Sequence, residues 1–178
     1  MNLKKVLAVL VCTSSLFSAK AIGQEISGAF GYKLGAELAL PPNGQLVKDS
    51  SSSALVYSIQ PLQPNKFFEE YRVFITPKSH LIASIEAKTK IKNNPDLSRA
   101  LFTEIVQLLQ KKYGENKVLT GNEIRVEIFQ ASDPDRSVVL ALDSPLESPN
   151  LFLKYSDHKL ERQAAFEKSN AEMDQTGL

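Results

Sequence analysis

Between Phe67 and Gly114 the spacing of apolar residues changes once, from every second position to the 3.6-residue helical repeat. That change fixes most of what this chain can build. Residues 67–76 (FFEEYRVFIT) put Tyr71, Val73 and Ile75 on one face of an extended strand. Residues 81–91 (LIASIEAKTKI) put Leu81, Ala83, Ile85 and Ala87 on one face, with Glu86, Lys88, Lys90 and then Lys92 on the other. Pro77-Lys78-Ser79-His80 between them is turn material, so the two arms are predicted to form a hairpin. A helix follows. Asn94 suits its N-cap, Pro95 its first position and Asp96 the positive end of its dipole. Leu97, Leu101, Ile105 and Leu108 form one stripe that Phe102, Val106 and Leu109 widen, while Arg99, Thr103, Gln107 and Gln110 look outward. Lys111, Lys112 and a left-handed cap at Gly114 end it. Such a helix is marginal alone in water, so its apolar face must lie on a sheet.

The remainder repeats this logic without residue-level similarity. Residues 54–60 (ALVYSIQ) read as a strand ended by Pro61 and Pro64. Residues 124–130 (IRVEIFQ), 137–143 (SVVLALD) and 151–155 (LFLKY) read as three more, with a turn at Asp133-Pro134-Asp135. Ser156 or Asp157 can cap a final helix reaching about Glu172, on which Leu160 and Ala164 are a turn apart and Phe166 sits off their stripe. Residues 26–40 are expected to hold a short strand or turn. Residues 41–53 (PPNGQLVKDSSSS) are expected to be connector. The expected fold is α+β, a largely antiparallel sheet covered by one strong central helix and a weaker C-terminal helix, in one domain over 22–178.

The first 21 residues read as a cleavable export signal: Lys4 and Lys5, the apolar run 6–11, and Ala19-Lys20-Ala21 before the cut, with a second register that leaves Gln24 first. The segment is too diluted by Ser, Thr and Lys for a membrane anchor, and Cys12 lies too early for a lipid attachment site. Cleavage removes the only cysteine, and with it any disulfide or thiolate metal site. It also removes three lysines and no acid, which leaves about −2 and argues against strong attraction to nucleic acid.

Catalytic patterns are sparse. There is no Gly-x-Ser-x-Gly, and the two histidines, His80 in a turn and His158 at a helix start, read as solvated. Gly28, Gly31 and Gly35 lack the strand and helix that a dinucleotide loop requires. Asp133, Asp135 and Ser137 have calcium-loop spacing, but Pro134 intervenes and Val138 stands where glycine is needed, so a turn is expected. Glu69 and Glu70 point to opposite faces, and Glu25, Glu37, Glu104, Glu123 and Glu127 read as scattered surface acids. No metal and no cofactor are expected. The candidate binding residues are Lys88, Lys90 and Lys92, a basic strip on one strand face for an acidic protein or anionic glycolipid. The competing reading of that strip is a solvated face, or an edge strand guarded against pairing.

The runs Tyr57-Ser58-Ile59-Gln60-Pro61, 71–79 (YRVFITPKS), Lys112-Tyr113-Gly114 and Leu153-Lys154-Tyr155-Ser156-Asp157 resemble small exported bacterial α+β proteins. The resemblance implies an antiparallel sheet covered by helices and transfers no site. Export, one domain, no mature thiol and no cofactor motif together point to a non-enzymatic protein-binding module, periplasmic in a Gram-negative bacterium or else secreted. It would be an inhibitor, an immunity protein or an envelope-assembly accessory. Its partner would be another envelope or secreted protein, with no nucleic acid and no stable membrane anchor. The alternatives are a carboxylate-dependent envelope hydrolase and a carrier of a small apolar ligand.

Overall fold

A computed structural model describes residues 24–38, 44–47, 49, 51–91, 94–114, 118–120, 126–143 and 149–176. The export segment predicted over 1–21 lies outside them, as do Lys92 and Glu123. In chain order the elements are β1 (Gly28–Ala29), β2 (Tyr32–Lys33), β3 (Gln45–Val47), β4 (Leu55–Ser58), β5 (Glu70–Ile75), β6 (Ile82–Lys90), α1 (Pro95–Tyr113), β7 (Val118–Thr120), β8 (Val126–Ser132), β9 (Arg136–Asp143), β10 (Asn150–Asp157) and α2 (His158–Thr176). β1 and β2 pair alone. The other eight strands form one antiparallel sheet in the order β3-β4-β5-β6-β10-β9-β8-β7. Each half of the chain lays down consecutive antiparallel neighbours and then a helix, and the halves join where β6 meets β10.

The sheet separates two unlike layers. Its inner face carries Tyr71, Val73, Ile85, Ala87, Leu151, Leu153, Tyr155, Val138, Leu140 and Phe129, all buried. α1 closes this face with Phe102, Ile105, Val106, Leu109 and Tyr113. Five such side chains at about 1.5–3 kcal/mol each contribute on the order of 10 kcal/mol, enough to hold a helix that would not persist alone. The stripe expected on α1 is rotated: Ile105 is central, but Leu97 and Leu108 are about half exposed, at 48% and 52%. The axis of burial runs through Phe102, Ile105, Val106, Leu109 and Tyr113, an i, i+3, i+4, i+7, i+11 set. The N-terminal cap is as read: Asn94 Oδ1 accepts from the Leu97 N–H at 2.9 Å and Pro95 opens the helix. Gly114 ends it at a positive φ of 88°, but its ψ of 179° is extended, so it is not the left-handed cap expected.

The 76–81 turn also matches expectation. The Thr76 N–H donates to the Leu81 carbonyl at 3.0 Å across the four intervening residues, and Thr76 Oγ1 accepts from the Leu81 N–H at 2.9 Å. One detail differs. The register shifts between Phe74 and Ile75, so Ile75 pairs with Ile82, and Ile82 rather than Leu81 joins the inner core. β3, inside the expected connector, and β7 are three-residue edge strands, too short for alternation to show.

α2 lies on the opposite, outer face. Asp157 caps it, Oδ1 accepting from the Leu160 N–H at 3.2 Å, while Arg136 Nε donates to Asp157 Oδ2 at 3.1 Å. The strand therefore runs straight into the helix with no loop between them.

Candidate functional site

Strand register sets out the outer face row by row. Nearest α2 stand Val56, Phe74, Ser84, Ser156 and Ser137. The next row is Ser58, Arg72, Glu86, Lys154, Val139 and Gln130. Beyond it come Glu70, Lys88, Phe152, Ala141 and Ile128, and then Lys90, Asn150 and Asp143. The inner face is apolar because α1 covers it. The outer face is polar because α2 covers only its first row.

Over the uncovered rows lie two adjoining hollows. One, about 390 Å³, is bounded by Glu161 and Ala164 of α2 and by the 51–54 segment. The other, about 610 Å³, reaches Asp143, Asn150 and Phe152. They share Arg72, Glu86 and Lys88, and so form one trough. Its charges alternate and are mostly matched. Lys88 Nζ lies 2.9 Å from Glu86 Oε1, and Glu86 is only 8% exposed. Arg72 lies 3.9 Å from Glu70. Lys154 Nζ donates to Glu161 Oε1 at 2.8 Å and stands 5.7 Å from the Phe74 ring centre. Burial pushes the Glu161 carboxyl up, but Lys154, Ser156 and His158 outweigh it and hold the group below its ordinary range. Beside these charges, Phe152, Val139 and Ile128 are half-buried and Ala141 is buried, an apolar patch on the β8-β9-β10 side.

Of the candidate strip, the structure places Lys88 on the trough floor and Lys90 at its far end, on the same outer face, while Lys92 lies outside the described residues. Lys88 is not a bare cation: it pairs with Glu86 and stands in register between Glu70 and Phe152. β6 is a central strand, so its lysines do not guard an edge. Sequence reasoning missed Arg72, Phe152, Lys154 and Glu161. Arg72 could have been found, since it alternates with Tyr71 and Val73. The others depend on β10 pairing with β6 about sixty residues earlier, which no local pattern encodes.

The remaining acids are dispersed. Glu25 pairs with Arg136 at 3.2 Å, Glu104 with Lys66 at 3.3 Å, and Glu37 is exposed beside Leu81. Asp133 Oδ1 accepts from the N–H groups of Asp135 and Arg136 at 3.0 and 2.8 Å, so this segment is a side-chain-closed turn. His80 is exposed, and His158 Nδ1 lies 3.5 Å from Glu161 Oε2. Among the described residues no group of three His, Cys, Asp or Glu is arranged to hold a metal, and no helix is long and apolar enough to cross a membrane.

Comparison of the chain with protein-family models, with curated proteins and with solved structures finds no match.

Proposed function

We propose that the chain is an exported, periplasmic protein-binding module whose outer-face trough takes a segment of another envelope or secreted protein. The observation that carries this reading is the uncovered half of the outer face, where an apolar patch of Phe152, Val139, Ala141 and Ile128 adjoins the charges of Glu70, Arg72, Lys88 and Lys90. Apolar side chains beside charged ones are a combination that protein interfaces use, and alternating charges suit selection of one partner over others. Glu161 does not suit the general acid that the hydrolase alternative needs. Such an acid requires a raised pKa, whereas Glu161 is lowered and its charge is matched by Lys154.

The test is crosslinked capture from the native envelope with the tagged mature protein, comparing wild type with the double variant Lys88→Glu/Phe152→Asp. The reading expects one enriched protein whose recovery falls about tenfold or more, as for loss of an interface centre. Equal recovery by wild type and variant would contradict it.

A further inference from the structure

The two helices are held in different ways. α1 docks with five buried apolar side chains, whereas among the described residues the buried apolar side chains of α2 are Leu160 and Ala164, and its Phe166 and Met173 are 67% and 48% exposed. Three polar clamps also tie α2 to the sheet layer. Near the start, Glu161 accepts from Lys154 at 2.8 Å and from Ser156 Oγ at 3.0 Å. In the middle, Glu167, only 9% exposed, accepts from the Lys78 backbone N–H at 2.6 Å and from Ser79 Oγ at 3.1 Å, with Gln163 Nε2 donating at 2.7 Å. Further on, Lys168 Nζ donates to the Ser52 carbonyl at 3.1 Å.

Two surface clefts open along α2. One, of about 390 Å³, meets the helix at Glu161 and Ala164. The other, of about 420 Å³, meets it at Lys168 and Ala171 and is lined on its far side by Leu46, Val47, Leu55, Val56 and Pro77. Both are lined by Asp49 and by Ser52, Ser53 and Ala54, so that stretch of chain stands between them and α2 borders each.

We propose that α2 is a releasable strap: it lifts from the sheet as a unit about the Asp157–His158 junction while α1 and the sheet stay folded. Asp157, tied to Arg136, is the fixed end. Lifting uncovers the Val56–Phe74–Ser84–Ser156 row and removes the wall that α2 gives to both the polar trough and the apolar groove. Resting on the docking reading above, this extended surface takes a partner segment that carries charged residues at one end and apolar residues at the other. Lys154 links the two events, because it both lines the trough and anchors Glu161. A partner that draws on Lys154 therefore weakens the strap, and a loosened strap favours that partner equally.

The strap is testable with no partner present, so its failure and that of the docking reading are distinguishable. Hydrogen exchange of the full mature chain, resolved by segment, is measured for wild type and for Glu161→Gln/Glu167→Gln. Once lifted, α2 is marginal as a helix and its amides exchange. At neutral pH, protection across residues 162–173 is expected to be at least about tenfold below that of β6 and β10, because the strap opens without global unfolding. In the double variant it is expected to fall about tenfold further, with α1 unchanged. Lowering the pH through the carboxyl range has the same effect on wild type and little on the double variant. A thiol crosslink across Ser79→Cys and Gln163→Cys, whose side chains meet at 3.0 Å in the wild type, restores the protection. Protection of α2 equal to that of β6 and β10 in both proteins would overturn the proposal, as would a fall shared by α1.

Discussion

Phe30 is one of two non-glycine residues in the left-handed region among the described residues, at φ 56°, and it is followed by Gly31 at φ 87°. Two consecutive left-handed residues are what a two-residue turn between β1 and β2 requires, and a phenylalanine enters that region only at a cost. The compensation is aromatic: its ring packs edge-on against Tyr71 at 5.0 Å, Phe68 at 5.9 Å and Tyr155 at 6.4 Å. Phe30→Ala is therefore expected to destabilise by about 2 kcal/mol, less than for a fully buried ring, measured as a shift in the denaturation midpoint. Gly31→Ala is also unfavourable, because the new methyl would stand 2.5 Å from the Leu62 Cβ. None of this was legible beforehand. The glycines marked a turn, but the partners of Phe30 lie about 40 residues or more away along the chain. Tyr155 shows the same limit: burial, then the neighbouring Tyr113, pushes its hydroxyl far above the ordinary range, and nothing local to 151–157 foretells it.

At the scale of elements, legibility follows length and local chemistry. α1, with its Asn94-Pro95 start and Gly114 stop, and the 76–81 turn are read directly because their determinants are within a few residues of one another. β3 and β7 are not, because three residues carry no period. α2 was legible as a weak helix, thin in apolar residues. Its position was not, since the Glu167 contacts with Lys78 and Ser79 span nearly ninety residues. Its fixed end carries a prediction. Asp157→Ala removes the cap, worth about 1 kcal/mol, and strips Arg136 of a carboxylate in a half-buried setting. A loss of about 2 kcal/mol is expected in denaturant unfolding, with Asp157→Asn retaining roughly the cap's share.

For the whole molecule, the asymmetry between layers matters most. The inner layer is an apolar core with a fully committed helix; the outer layer is charged, partly open and held by carboxylates. Acid stability tests this division. Glu161 and Glu167 are both lowered from the ordinary 4.5: burial raises each, but Lys154, Ser156 and His158 overcome it for the first, and Gln163, Lys78 and Ser79 for the second. A lowered carboxyl contributes stability that is present above 4.5 and lost as pH falls through its lowered value. Unfolding free energy is therefore expected to fall below that pH in wild type. It should fall measurably less steeply in Glu161→Gln/Glu167→Gln, read from denaturant midpoints at pH 7 and pH 3.

The sequence carried the α+β class and one face of the trough, Lys88 and Lys90, but not its opposite strand, because β6 and β10 meet only in the folded sheet. The most direct test of the docking claim uses a photo-activated crosslinking residue placed at Phe152, on the outer face, or at Thr103, on the exposed side of α1. The mature chains are irradiated in their native envelope. The account predicts one dominant adduct from position 152 and none from position 103. Adducts from position 103 alone, or the same adducts from both, would contradict it.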